Sequence, residues 1–300
     1  MIKYIHSIHK DHKLNVTNFV SVSSLSSKIY YTEHYKDSHE LPILTGFVEK
    51  FHRKAFYGGL SDVIIPFADK NIHSYDFVSM YPSVMVEKPF PTGNPIFTTN
   101  KNLDELFGVV EADIIAPPMK IPVLPFKALG SNVVITPTGS WRGEYSTELL
   151  KKIKEIGYKV EVIQGYTYKK GYGLFNSFIL NNFQIKNNSE GATKEIAKLK
   201  MNSFFGFSGR HQYNQIIKYV TSDERDKIES IYPVIESFYI QSLEKYFIRY
   251  NSVPNKMKCR QSNNDFELLL AESNNKRFDL KEISLPAAVF IASYGIIKIN

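Results

Sequence analysis

Residues 190–206 constrain this chain more than any other stretch, because their side-chain character repeats at helical steps. Glu190, Lys194, Lys198, Asn202 and Phe205 form one stripe, since residues four apart on a helix stand about 6 Å apart along the axis on one face. Ile196, Leu199 and Ser203 form a different stripe that can bury. Lys194 and Lys198 would present two ammonium groups at about the spacing of neighbouring phosphates. Phe205 and Gly206, one turn on, would offer a flat ring and a close backbone approach for a base. Asn188 or Ser189 can cap the helix start, and Glu190 with Lys194 makes a favourable i,i+4 pair. An ordinary surface helix rich in lysine satisfies the same pattern.

About 120 residues earlier stands Ser74-Tyr75-Asp76-Phe77-Val78-Ser79-Met80-Tyr81-Pro82-Ser83. Val63–Pro66 and Ile72–Phe77 read as short strands, the second delivering Asp76 at its end. Tyr81-Pro82 then opens a turn and a short helix. An aspartate followed by a serine is common, and alone it more often caps a helix than binds a metal. The whole run Asp76-x-x-Ser79-x-Tyr81-Pro82-Ser83 is far more specific. A carboxylate beside a nucleotide suits two-metal phosphoryl transfer, which needs hard oxygen ligands around two Mg²⁺ about 3.5–4 Å apart. One aspartate cannot supply that set, so a second must come from elsewhere. Upstream, Phe56-Tyr57-Gly58-Gly59 is a sharp break, because paired glycines permit close backbone approaches.

Charge sharpens the reading. The chain has 300 residues and a formal net charge of +7. Residues 151–220 hold 12 Lys and Arg against 4 Asp and Glu, whereas the remainder holds 25 against 26. The positive charge therefore gathers around the lysine helix, where a polyanion would be attracted, although a solvated helix face is the more common outcome of such a run. With 43% apolar residues a sizeable core is possible. The single Cys259 excludes an internal disulfide framework and a cysteine-based zinc site. The longest apolar run, Leu285 to Ile299, is shorter than the roughly 20 residues that span a bilayer and reads as a buried helix.

Periodicity assigns strands to Val109–Ile115, Val133–Thr136 and Lys159–Ile163. It assigns an amphipathic helix to Glu144–Ile156 and helices to Leu174–Gln184 and Ser189–Phe205. Residues 224–250 read as one long helix that Pro233 must kink or split. Asn251–Asn275 is polar and loop-like.

The two motifs closely resemble those of family B DNA polymerases. The Asp76 run is similar to that family's motif A. Lys198, Asn202, Ser203 and Gly206 are similar to motif B, with Phe205 where tyrosine is usual. Phe56-Tyr57-Gly58-Gly59 resembles the Tyr-x-Gly-Gly linker between exonuclease and polymerase domains. The long stretch between the motifs, including Trp141-Arg142-Gly143-Glu144-Tyr145, resembles the terminal-protein region of the protein-primed branch found in linear mitochondrial plasmids and small phages. The resemblance covers roughly residues 15–300.

It implies a mixed α/β fold: a partial palm sheet, an insertion subdomain and helical fingers. It divides the chain into a linker remnant (1–55), a palm strand with motif A (56–90), a terminal-protein-region-like insertion (91–180), fingers (181–210), and a second insertion with a palm helix (211–300). It implies metal at Asp76 and the Phe77 carbonyl, with Asp76 catalytic and Mg²⁺ as the cofactor. Ser79 and Met80 would meet the triphosphate, and Tyr81 would stack on the incoming sugar. Lys194 and Lys198 would bind phosphates, and Asn202, Ser203 and Phe205 would border the nascent base pair. Phe56, Gly58, Gly59, Lys186, Ser203 and Gly206 would face DNA, Lys186 alternatively a priming protein. The implied partners are a DNA template-primer, deoxynucleoside triphosphates and a terminal protein. The implied location, supported by an Asn/Lys/Ile/Tyr/Phe-rich composition, is a mitochondrion.

Departures from the family pattern set further expectations. Acidic exonuclease motifs expected before residue 50 are not found. The arginine usual in the late helix is missing near Tyr294-Gly295-Ile296, and Asn300 precedes any Tyr-x-Asp-Thr-Asp strand. Asp265 lies upstream of that helix and is no substitute. The expected reaction is template-directed deoxynucleotidyl transfer by a polymerase fragment, incomplete as an isolated chain. The alternative is a non-catalytic remnant that binds nucleic acid or a terminal protein.

Overall fold

The computed structural model describes residues 12, 14, 21–36, 39–59, 67, 69, 76–127, 133–210, 215–251 and 284–299. They divide into two units: residues 1–209 together with 284–300, and residues 210–283. The terminal helix, within the range 211–300 read from the sequence as a second insertion with a palm helix, groups with the first unit.

Among the described residues, α1 (Val22–Ile29) of the first unit runs on into a π-helical turn at Tyr30–His34. Ser21 and Ser24 cap α1 reciprocally. Then follow α2 (Gly46–Lys54), α3 (Met80–Glu87), β1 (Phe90–Thr98), β2 (Gly108–Ala116), β3 (Phe126–Lys127) and β4 (Val134–Ile135). Next come β5 (Gly139–Ser146), α4 (Thr147–Glu155), β6 (Lys159–Gly171), α5 (Asn176–Asn188) and α6 (Gly191–Ser208). The fold class is mixed α/β, with antiparallel sheets and packed helices.

The main sheet has strand order β1-β6-β2-β5, all antiparallel. β1 carries Pro91 and Pro95, and a strand lacking those N–H donors is tolerated because it lies at the sheet edge. Its register shifts between Thr92 and Ile96, around Pro95. One sheet face buries Val110, Ala112, Ile114 and Val162 against Leu149, Leu150 and Ile153 of α4.

Helix α4 starts later than the sequence reading. Glu144 and Tyr145 lie in β5, where Glu144 pairs with Glu111 and Tyr145 with Val110 of β2. Ser146 ends the strand, and its hydroxyl accepts from the Leu149 N–H at 3.3 Å, so the cap fixes the start. Tyr145 stacks on Tyr57 with ring centroids 5.5 Å apart and planes 13° apart.

The other side of this unit is built around α8 (Leu285–Ile299). Its residues from Leu285 to Ile296 are all buried, as its predominantly apolar sequence requires. It packs against α2, α3, α4, α6 and β1. α6 lies against α1 and α5. Tyr30, Phe90, Phe175, Phe178, Phe204 and Phe290 fill the shared core.

In the second unit the expected long helix is replaced by three elements. α7 (Ser222–Ile231) ends before Pro233, and β8 (Val234–Ile240) and β9 (Lys245–Asn251) follow. They form a sheet of order β7-β9-β8 with β7 (Gln215–Val220). Most residues of β8 and β9 are β-branched or aromatic, and such side chains pack better on a pleated surface than on a helix. The strands expected at Val63–Pro66 and at residues 72–75 lie outside the described residues, as does most of the Asn251–Asn275 stretch.

Candidate nucleotide site

The site begins at the start of α3. Ser79 precedes the helix in the left-handed conformation, φ 54° and ψ 47°, which is uncommon for a residue with a Cβ. Its carbonyl accepts from the Ser83 N–H at 2.9 Å. Its side chain does not cap the helix. Instead Lys186, in the last turn of α5, donates to Ser79 Oγ at 3.3 Å, and its ammonium stands 5.5 Å from the Phe183 ring centroid. A cation is thereby held beside a helix N-terminus, where the N–H groups of Met80 and Tyr81 have no intrahelical acceptor. Such a terminus favours an anion.

Tyr81 is the hub. Its ring stacks on Phe205 of α6 with centroids 4.6 Å apart and planes 27° apart. Phe205 also meets Phe56, with centroids 6.1 Å apart. Three segments far apart in sequence converge here. Glycines make the approach possible. A Cβ on Gly295 of α8 would lie 2.9 Å from Tyr81 Cε1, and one on Gly209 would lie 2.4 Å from Phe56 Cζ. Gly59 stands close to the Tyr81 hydroxyl, and Gly58 is exposed. Arg53 ties the far end together by donating to the Gly209 carbonyl and, at 2.9 Å, to Glu49. Burial raises the Tyr81 phenol above its ordinary pKa, so it stays a neutral hydroxyl.

Helix α6 presents Lys194, Lys198, Asn202 and Gly206 to solvent on one side. Lys194, Lys198 and Asn202 belong to the stripe read from the sequence, whereas Phe205, its last member, is half-buried against Tyr81. The buried side is different from the expected one: Ala197, Lys200, Met201, Phe204, Phe207 and Ser208 point inward. Leu199, expected to bury, is 47% exposed. Ile196 and Ser203 are half-buried, and Ser203 Oγ is enclosed without a hydrogen-bond partner among the described residues. Lys200 is buried, with Nζ 3.5 Å from His12 Nε2, and His12 pairs with Glu33 at 2.8 Å. Glu190, rather than Asn188 or Ser189, stands at the helix N-cap, and it makes no side-chain cap bond.

Asp76 and Phe77 are exposed in the irregular segment before α3, so a strand end is not seen at Asp76 itself. No hydrogen bond or ion pair joins Asp76 to Lys194, Lys198 or Asn202. One carboxylate and one backbone carbonyl are hard oxygen donors of the kind Mg²⁺ takes, and they fit one end of such a site. They do not complete a two-ion set, and among the described residues no group of three or more His, Cys, Asp or Glu could hold a metal ion.

The sequence reading missed Gly295, Gly209 and Arg53. An isolated glycine inside the apolar helix at Leu285–Ile299 was the signal available for Gly295, since it costs helix stability unless something packs against it. Nothing local marked the other two.

Comparison with known proteins identifies the family and the fold. Residues 1–293 match the family model for DNA polymerase type B, organellar and viral. A probable DNA polymerase of Podospora anserina is 28% identical over 299 residues, which is 97% of this chain and 24% of that relative. The solved structure of phi29 DNA polymerase in an orthorhombic crystal form matches with a TM-score of 0.61 and 21% identity, covering 96% of this chain and 45% of that one. Phi29 DNA polymerase complexed with primer-template DNA and incoming nucleotide matches with a TM-score of 0.57 and 22% identity, covering 72% of this chain and 40% of that one. The chain thus spans about a quarter of the curated relative's length and under half of the solved polymerase. It belongs to the organellar and viral type B DNA polymerase family.

Proposed function

We propose that this chain forms the nucleotide-facing part of a DNA-directed, protein-primed DNA polymerase. The observation that carries this reading is the convergence of Tyr81, Phe205 and Phe56 beside the Lys186–Ser79 contact, with Lys194, Lys198 and Asn202 open to solvent on the same helix as Phe205. Lys198 and Lys194 bind phosphates of an incoming deoxynucleoside triphosphate. Ser79 Oγ and the N–H groups of Met80 and Tyr81 bind the same group. Tyr81 borders the sugar, and Phe205, Asn202 and Ser203 border the base pair. A divalent ion at Asp76 and the Phe77 carbonyl, when bound, would offset charge on the phosphates; Mg²⁺ suits those oxygens. A further carboxylate is required for a two-ion site.

Lys186, Phe56, Gly58, Gly59 and Gly206 face template-primer DNA, by analogy with the DNA-bound phage polymerase. The sheet and helix of residues 91–180 take the terminal-protein role, and residues 181–210 the role of fingers. The encoding element is organellar, and the site of action a mitochondrion. No helix of the described residues is long and apolar enough to cross a membrane. The second reading, a binding remnant without catalysis, is favoured by the lone carboxylate of the described site.

A titration with a fluorescent deoxynucleoside triphosphate tests the proposal. Lys198→Ala weakens binding roughly tenfold, as expected for losing one charge-assisted contact of about 1.5 kcal/mol. Lys200→Ala leaves triphosphate affinity unchanged and lowers folding stability, because Lys200 faces the interior. Equal losses of affinity in both variants would point to diffuse charge and sink the phosphate assignment.

A further inference from the structure

The first turn of α3 holds a chain of hydrogen bonds that begins on another helix. Pro82, the third residue of α3, has no N–H, and the Ser83 N–H already donates to the Ser79 carbonyl at 2.9 Å. The turn therefore offers a ligand the N–H groups of Met80 and Tyr81. Each of these donors shares a planar peptide group with a carbonyl: the Met80 N–H with the Ser79 carbonyl, the Tyr81 N–H with the Met80 carbonyl. Ser83 holds both planes. Its N–H takes the Ser79 carbonyl, and its hydroxyl donates to the Met80 carbonyl at 2.8 Å. The left-handed backbone of Ser79, φ 54°, needs such support, because a conformation of that kind persists only where its surroundings over-determine it.

Lys298, half-buried near the end of α8, sets the direction of the Ser83 hydroxyl. Its ammonium donates to Ser83 Oγ at 2.8 Å. With that ammonium on the oxygen lone pair, the single hydroxyl proton is turned toward Met80. The same ammonium pairs with Glu87, one turn further along α3, at 3.3 Å. Gly295, three residues before Lys298 on α8, lets the two helices approach, since a Cβ there would crowd Tyr81 and Met80.

We propose that Lys298 is a positioning residue for the triphosphate, acting through Ser83 to aim and polarise the Tyr81 N–H. The path runs from the Lys298 ammonium to the Ser83 hydroxyl, then to the Met80 carbonyl and the Tyr81 N–H of the same peptide. Successive hydrogen bonds polarise one another, and a bond that starts at a charge is stronger than a neutral one. A peptide whose carbonyl accepts such a bond has an N–H that donates better to an anion. The effect requires no contact between Lys298 and the ligand. This role rests on triphosphate binding at α3 and adds the remote residue that sets its strength. A plain tether between α8 and α3 would use the Glu87 ion pair equally well, and the two roles differ in what they do to affinity.

The test is a titration of the whole chain with a fluorescent deoxynucleoside triphosphate, with inorganic triphosphate as competitor. Lys298→Met weakens both ligands roughly three- to tenfold, the usual net contribution of one hydrogen bond. Ser83→Ala does the same, and the double variant loses no more than either single one, because both cut one chain. Lys298→Arg keeps a charged donor and restores most of the affinity. Glu87→Gln breaks the ion pair and leaves affinity unchanged. Should Lys298→Met fail to fold, Ser83→Ala decides, since it cuts the same chain one bond further on. Full affinity in a folded Lys298→Met or Ser83→Ala, additive losses in the double variant, or an equal loss in Glu87→Gln would each overturn the proposal. So would a loss confined to the nucleotide with inorganic triphosphate unaffected, because Lys298 would then act on the Tyr81 ring. Lys198→Ala separates this role from the reading beneath it. Affinity lost there and kept in Lys298→Met sinks the role of Lys298 alone, whereas a parent chain that binds neither ligand sinks the nucleotide reading with it.

Discussion

Gly295 shows how much one missing methyl group can decide. A Cβ there would lie 2.9 Å from Tyr81 Cε1 and 3.3 Å from Met80 Cε, and the Tyr81 ring is backed by Phe205. Gly295→Ala is therefore expected to cost about 1–3 kcal/mol, the usual range for overpacking. A urea midpoint equal to that of the parent would show that the ring yields freely. His52 is a second residue-scale case. It is buried, its Nδ1–H donates to the Val48 carbonyl at 2.8 Å, and its Nε2 accepts from the Tyr168 hydroxyl at 2.7 Å. Burial lowers its pKa to about 4, only partly opposed by the Val48 carbonyl, whereas an unfolded histidine titrates near 6.5. Between those values the unfolded chain takes up a proton that the folded one refuses. Stability is full above about pH 6.5 and falls as pH drops toward 4, by up to about 3 kcal/mol. Denaturant melts at the two ends of that window should show a larger loss for the parent than for His52→Gln. An equal loss would assign the acid sensitivity to other groups.

Among the elements, α7 depends most on its ends. None of its residues is fully buried, and of its apolar side chains Ile228 alone packs against the sheet's core cluster, so its caps weigh in its stability. Its capping box is complete: Thr221 Oγ1 accepts from the Glu224 N–H at 3.4 Å, and Glu224 accepts from the Thr221 N–H at 3.0 Å. That backbone bond holds the Glu224 carboxyl below its ordinary pKa. Thr221→Ala should destabilise the helix by about 1 kcal/mol. Hydrogen exchange of the α7 amides should then quicken about fivefold, while exchange in α6 stays unchanged. Acceleration spread evenly over both helices would mean that the cap supports more than its own helix. The edge position of β1 is an element-scale outcome of another kind. Its two prolines forbid a central place in the sheet, and β6 instead pairs on both sides.

At the scale of the whole molecule, the proposed nucleotide surface carries only one carboxylate suited to a catalytic metal among the described residues. The purified chain is accordingly expected to show little primer extension with Mg²⁺ and a primed template, while retaining triphosphate binding. In-line transfer requires the reacting groups to be held in a near-attack geometry, and one carboxylate leaves a second ion to substrate oxygens and water. Robust extension abolished by Asp76→Asn would show that a carboxylate outside the described residues completes the site.

Much of this site was legible in short-range pattern. The four-residue spacing of Lys194, Lys198 and Asn202 put them on one exposed side of a helix, and the Asp76 run announced a turn into a helix at Tyr81-Pro82. Those features are local, set by helical geometry and by proline's fixed φ. Which side of α6 turns inward was not local. Lys200 goes in and Leu199 stays out, because the helix is clamped by α1 and α5, and Lys200 finds His12, far away in the chain. The identity of residues 234–250 was also decided at a distance: each strand depends on hydrogen bonds to another that a window of sequence does not contain. The same holds for Glu144 and Tyr145, which read as helix until β2 pairs with them. Most of all, the meeting of Tyr81, Phe205, Phe56 and Gly295 exists only in three dimensions. Backbone propensity sets the period of each element, but the free energy of burying one face rather than another belongs to contacts between elements, and only the folded chain evaluates it.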